Sequence, residues 1–158
     1  MTDAMLFWVT QTDIDGFRCD VAGLVPVDFW NFATSEINKV KPTFMLAENE
    51  DQMELLQKAF NANYAWSLHK TMNQITTGTK NAIDIANWVA KIDTLYPQGA
   101  MPMLFTSNHD ENSWHGSEYE RMGDAVKTFA ALTFTLPGVP LIYSGQEAGV
   151  KKRLSFFE

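Results

Sequence analysis

Cysteine is almost absent. Cys19 is the only one in 158 residues, so no internal disulfide can form and no thiol pair offers metal-ligand spacing. Its apolar neighbours make it a small buried side chain rather than a reactive thiol. No apolar run approaches the roughly 20 residues needed to span a bilayer, so no membrane partner is expected. Basic residues are few and scattered: twelve Lys and Arg against nineteen Asp and Glu leave a net charge of −7. Without a basic patch the chain lacks the footprint of a nucleic-acid binder. The opening residues, MTDAMLFWVTQTD, carry acidic side chains where a signal peptide has its basic region. No export signal is read there, and no compartment is assigned. No strand-like segment leads into a glycine-rich phosphate loop, which lowers a dinucleotide-binding reading.

What is present suits a globular chain, with 46% hydrophobic and 20% charged residues. The length fits one domain with a sizeable core. Aromatic content is high at 13%, including five Trp; most of it belongs in the core, and some could form a stacking surface for sugars.

Strand-like and helix-like segments alternate. Residues 14–21 read as a strand, and Asp28 to Val40 as a helix with Phe29, Ala33, Ile37 and Val40 on one stripe before Pro42. PTFMLAE (42–48) is a second strand, followed by a short helix carrying Met53, Leu56 and Phe60. NANYAW (61–66) is a short, weak strand before a helix with Leu68, Met72 and Ile75, which Gly78 ends. Asn81 can cap the next helix, whose face of Ala82, Ile85, Ala86, Val89 and Ile92 is expected to be buried. MPMLFTSN (101–108) is a strand of nearly continuous apolar character. A long helix from about Glu118 places Met122, Ala125, Val126, Phe129, Leu132 and Thr133 inward, and VPLIYSG (139–145) is the last strand. Such units predict an α/β fold, a parallel sheet covered by helices. It is either a doubly wound sheet or part of a (β/α) barrel.

Charges collect at the strand ends. In DIDGFRCDVA (13–22), Arg18 and Asp20 share one strand face while Phe17, Cys19 and Val21 share the other. An arginine beside Asp20 would hold that carboxylate ionised, as a nucleophile requires. A structural ion pair is the plainer alternative for an isolated Arg-x-Asp. The second strand, however, ends in Glu48, and the fourth runs into Asn108, His109 and Asp110. Neighbours cannot share a face of a regular strand, so the chain must leave β geometry if His109 and Asp110 both reach a site. In parallel α/β folds this is the ligand-binding end. Paired carboxylates there suit retaining glycoside hydrolysis, with one attacking the anomeric carbon and an acid about 5–5.5 Å away protonating the leaving oxygen. A metal site at His109 and Asp110 is disfavoured, because His69 and His115 show no ligand spacing with them.

These segments resemble the α-amylase family, glycoside hydrolase family 13. GFRCDVA is similar to its nucleophile strand, LAENE to its acid/base strand and FTSNHDE to its transition-state-stabiliser strand; PGVPLIYSGQE (137–147) resembles its last barrel strand. The resemblance implies Asp20 as nucleophile, with Arg18 orienting it, and Glu48 rather than Glu50 as general acid/base. Asp110 would bind hydroxyls of the reacting ring and favour its distortion, with His109 hydrogen-bonding nearby; Tyr143, Gln146 and Glu147 are read as structural or as supporting the site from outside it. It further implies a partial (β/α)8 TIM barrel, about strands 4 to 8, with residues 1–158 forming one incomplete catalytic domain. The substrate would be an α-1,4-glucan or maltooligosaccharide, with no cofactor.

The resemblance also implies that the first three barrel strands, the domain inserted after the third and a β-rich carboxyl-terminal domain lie outside this chain. The family's common calcium site draws on those parts, so no metal is expected. Gly23 and Leu24 stand where many α-amylases have Lys-His, which bears on the leaving-side subsites. Open barrel edges would favour self-association. The alternative to an enzyme is an inactive barrel fragment with only sugar-binding or self-association capacity. A non-enzymatic relative, such as a transporter heavy subunit, would lack the carboxylates that Asp20, Glu48 and Asp110 supply.

Overall fold

The computed structural model describes residues 1–157. Strands β1 (Gly16–Cys19), β2 (Phe44–Ala47), β3 (Ala62–Tyr64), β4 (Met101–Leu104) and β5 (Val139–Pro140) keep their chain order across one sheet. The pairs β1/β2, β2/β3 and β4/β5 are parallel. An order that never reverses is that of a barrel segment; a doubly wound sheet has a switch point. The helices are α1 (Thr2–Thr12), α2 (Val27–Asn38), α3 (Trp66–Thr76), α4 (Ala82–Leu95), α5 (Glu118–Met122) and α6 (Val126–Thr135). No helix among the described residues is long and apolar enough to cross a membrane. The chain divides into two compact units, Met1–Tyr64 with Asp93–Pro102, and Ala65–Ile92 with Met103 onward.

In the first unit, α1 contributes Met5 and Val9 to the core, and α2 contributes Trp30, Ala33 and Ile37. They pack with Cys19, Met45 and Ala47 of β1 and β2, and with Leu55, Leu56, Ala59 and Phe60. Trp30 donates its indole N–H to the Ala22 carbonyl at 3.0 Å, so its polar edge is satisfied inside the core. Register aligns Arg18 with Leu46 and Cys19 with Ala47, bringing the carboxyl ends of β1 and β2 to one level. Strand β1 stops at Cys19, earlier than residues 14–21 suggest. Val21 does not continue the apolar face of Phe17 and Cys19; it is half-exposed and left-handed, at φ 38 and ψ 45.

In the second unit, Ala65, Leu68, Met72, Leu104, Met122, Val126 and Phe129 form the core. Ser117 and Glu120 make a reciprocal capping box that starts α5. Three expectations are corrected. The long helix from Glu118 is broken at Gly123–Ala125 by a 3₁₀ turn, where Gly123 has φ 54. The β4 ladder ends at Leu104, although Phe105 to Asn108 remain buried. Strand β5 is two residues long, because Gln146 Oε1 accepts from Tyr143 N at 3.1 Å and turns the chain. Helix α4 starts where expected, with Ile83 N donating to Asn81 Oδ1 at 2.8 Å, but of its predicted buried face only Ile92 is buried.

Gly16 fixes the approach of β1 to β2. A Cβ there would lie 1.8 Å from the Phe44 carbonyl oxygen, a backbone atom that cannot swing aside. Gly16→Ala is therefore expected to lower stability by about 2–3 kcal/mol, read from urea unfolding. An unchanged midpoint would contradict that close approach.

Candidate active site

The predicted site residues fall in the two units. In the first, Arg18 organises the group. Its Nη1 pairs with Asp20 Oδ1, its Nη2 lies 2.7 Å from Glu48 Oε1, and its Nε donates to Tyr64 Oη at 3.1 Å. The guanidinium carbon also stands 5.6 Å from the Tyr64 ring centroid. One planar fork thus reaches groups at the ends of three strands, which a lysine's point charge could not do. Burial lowers the pKa of Arg18, but the hydrogen bonds to Tyr64 and Asp20 and the charge of Glu48 outweigh it, and the net direction is upward.

Glu48 has both carboxylate oxygens engaged. Oε1 meets Arg18, and Oε2 accepts from the Val21 backbone N–H at 2.8 Å. The left-handed turn at Val21 aims that N–H back at Glu48. A β-branched residue with positive φ stores strain of about 1–3 kcal/mol. Glu48 is mostly covered at 14% exposure, whereas Asp20 is 74% exposed and open to a ligand. Glu50 belongs to a different neighbourhood. Burial first, and then the charge of Glu50, raise the Tyr96 phenol, which donates to Asn63 Oδ1 at 2.8 Å. Cys19 lies behind the group, with its thiol pushed up to about 11 by burial against the opposing charge of Arg18. It is a buried thiol, not a nucleophile.

The second unit holds His109 and Asp110. Here the chain has left β geometry, as two adjacent ligands require. Asn108 Oδ1 accepts from Glu111 N at 2.8 Å and starts a helical turn, followed by a π turn at Glu111–His115. His109 Nε2 stands 3.4 Å from Asp110 Oδ2, and both side chains are partly exposed. The segment is held from below at Thr106. Its hydroxyl donates to Glu118 Oε2 at 2.7 Å and accepts from Gln146 Nε2 at 2.9 Å. Arg121 brackets the same segment, donating to the Thr106 carbonyl at 2.8 Å and the Gly116 carbonyl at 3.0 Å. Its Nη1 donates to Asn73 Oδ1 at 2.9 Å and meets His69 Nε2 at 3.0 Å.

His69 is kept neutral. Burial, then the charge of Arg121, lower its pKa to about 3. Glu111 Oε2 lies 3.6 Å from its Nε2, but a neutral imidazole that accepts from Arg121 makes no ion pair there. Among the described residues no three His, Cys, Asp or Glu side chains cluster as a metal site. Tyr64 and Arg121 were not singled out in the sequence. Tyr64 ends a strand at the same level as the other site residues, a usable signal; Arg121, in a helix far along the chain, offers none.

An arginine-tied carboxylate pair stands at the ends of parallel strands in the first unit, and a His-Asp segment follows a later strand in the second. The family model "Alpha amylase, catalytic domain" matches residues 1–155, and the chain belongs to the α-amylase family. It is 28% identical over 155 residues to the alpha-amylase MalA of Haloarcula japonica, covering 97% of this chain and 23% of that protein. A 4-alpha-glucanotransferase of Thermotoga neapolitana is 27% identical, with 93% of this chain and 34% of that protein covered. Among solved structures, the maltogenic alpha-amylase AmyB of Thermotoga neapolitana superposes with a TM-score of 0.86 at 33% identity, over 99% of this chain and 36% of that one. The alpha-amylase of Lactobacillus plantarum gives 0.84 at 28%, over 99% and 40%. The chain thus spans less than half the length of each of these relatives.

His69 sets a pH dependence. Below its ordinary pKa of 6.5 the unfolded chain binds a proton that the folded chain refuses until about pH 3. Its contribution is complete above pH 6.5 and is lost as pH falls toward 3. About 2 kcal/mol should go between roughly pH 7 and pH 5, measured by urea unfolding. His69→Gln should flatten that slope; an unaltered slope would place its cause elsewhere.

Proposed function

We propose that the chain supplies the catalytic carboxylates of a retaining α-glycoside hydrolase acting on α-1,4-glucans or maltooligosaccharides. The observation that carries this reading is the shared guanidinium: Asp20 and Glu48 are tied to the two terminal nitrogens of Arg18. Carboxylates bridged by one guanidinium favour the close spacing of a retaining pair, about 5–5.5 Å, over the wider gap that an inverting enzyme leaves for water.

In this reading Asp20 attacks the anomeric carbon as the bond to the leaving oxygen breaks. Glu48 delivers a proton to that oxygen, leaving a glycosyl ester on Asp20. Glu48 then takes a proton from the incoming hydroxyl, whose oxygen attacks the anomeric carbon and frees Asp20. Water as acceptor gives hydrolysis; a second sugar gives transfer. The relatives' names include both outcomes, an alpha-amylase and a 4-alpha-glucanotransferase. To act as acid, Glu48 exchanges one of its two present donors, Arg18 or Val21 N–H, for the leaving oxygen. Asp110 and His109 bind hydroxyls of the reacting ring and favour its distortion.

The test is chromophore release from an α-linked nitrophenyl maltooligosaccharide at high protein loading. Asp20→Asn and Glu48→Gln, prepared in parallel, should each reduce release by about a thousandfold or more. Equal release by the parent chain and Asp20→Asn would remove the nucleophile assignment. No release from any of the three would favour an inactive piece with only sugar-binding or self-association capacity.

A further inference from the structure

The left-handed turn at Val21 is strained, and its half-exposed side chain gains little packing from it. Other contacts must hold the turn in place. Inside it, Leu24 N donates to the Val21 carbonyl at 2.9 Å and Val25 N to the Ala22 carbonyl at 3.2 Å. From outside, Gln52 donates from Nε2 to the Gly23 carbonyl at 3.1 Å. Gln52 is itself fixed at its backbone, where its N–H donates to Asn49 Oδ1 at 2.8 Å. The Asn49 amide in turn lies against Gly23: a Cβ on that glycine would come 2.4 Å from Asn49 Nδ2. The loop after β2 thus carries Glu48 at its start and grips, further on, the turn whose N–H bonds Glu48.

We propose that Gln52 is a positioning residue for the general acid/base: it clamps the turn from Val21 to Leu24 so that the Val21 N–H stays on Glu48 Oε2. The inference rests on the functional reading above and adds the means by which Glu48 keeps one orientation through the reaction. A carboxylic acid still has a carbonyl oxygen, so Oε2 can accept from Val21 whether Glu48 is charged or protonated. A guanidinium has only donors, so a protonated Oε1 finds no partner for its hydrogen there. Arg18 keeps Asp20 and Tyr64 when it releases Oε1, whereas a clamped backbone N–H cannot turn away. Oε1 is therefore the oxygen that carries the proton to the leaving group, and Val21 is the donor that stays. Without the clamp the strained turn relaxes, and Glu48 loses the bond that sets its angle. Gln52 also lines a cleft of about 530 Å³ with Gly23, Leu24 and Glu54, which makes direct ligand contact the rival role. Its bond to the Gly23 carbonyl favours the clamp.

The test is solvent exchange of the Val21 amide in the full chain, read by amide-resolved NMR, beside kinetics on the nitrophenyl maltooligosaccharide. Gln52→Met keeps the length of the side chain and removes the donor. It should speed exchange at Val21 about tenfold, while the Phe44 and Met45 amides, bonded to the Asp15 carbonyl and to Asn61 Oδ1, keep their rates. Gly23→Ala, which must push the Asn49 amide aside, should act in the same direction. In kinetics Gln52→Met should lower kcat about tenfold or more and leave KM within about twofold. Unchanged exchange at Val21 would overturn the clamp and leave the functional reading standing. A raised KM at unchanged kcat would overturn it too, by making Gln52 a ligand contact. Equally faster exchange at Val21, Phe44 and Met45 would overturn it as well, leaving Gln52 a merely structural residue. No release by the parent chain would overturn the functional reading and the catalytic role of Gln52 with it.

Discussion

A guanidinium cannot be drawn out of water without acceptors for its nitrogens, and the Arg18 side chain is only 29% exposed. Its partners are Asp20 just past β1, Glu48 just past β2 and Tyr64 at the end of β3. The two carboxylates are therefore coupled through their common cation: a change at one alters the field at the other. The same demand ties chemistry to register. A slip of β1 by one residue would turn Arg18 to the helix-covered face and leave Glu48 without its cation.

The second unit solves a related problem by different means. His109 and Asp110 are consecutive, so no strand can present both, and the chain must turn sharply while staying anchored. Thr106 provides the anchor, with its hydroxyl held by Glu118 and Gln146 and its carbonyl by Arg121. Arg121 then depends on an uncharged His69 to accept from it, which burial enforces. The irregular backbone from Phe105 to Asp110 thus rests on buried polar bonds, not on sheet pairing.

Strand positions and the polar groups at their ends were legible because both are local. Apolar runs mark buried strands, and carboxylates at their carboxyl ends stand out against them. Asn81 announced α4 because a cap is a short-range bond. Coverage was not legible. Periodicity groups Ala82, Ile85, Ala86, Val89 and Ile92 on one face of α4, but only packing decides whether that face is covered, and only Ile92 is buried. Tyr64 ends a strand that was read, but an uncharged ring at a strand end does not stand out as a carboxylate does. Val21 escaped it because nothing in a β-branched residue suggests a left-handed turn; the Glu48 contact imposes it. Strand β5 looked longer than it is, since Leu141 to Tyr143 are apolar enough for a strand but are turned by Gln146.

Cys19 has a consequence of its own. It is the chain's single thiol, 7% exposed, flanked by the arginine and aspartate of the candidate site. A thiol-directed reagent has one address in this molecule and cannot reach it while β1 stays packed. Its labelling rate is thus a clock for the local opening of β1, separate from global unfolding. The strand that leads into the proposed nucleophile carries its own reporter of how often that nucleophile is out of place.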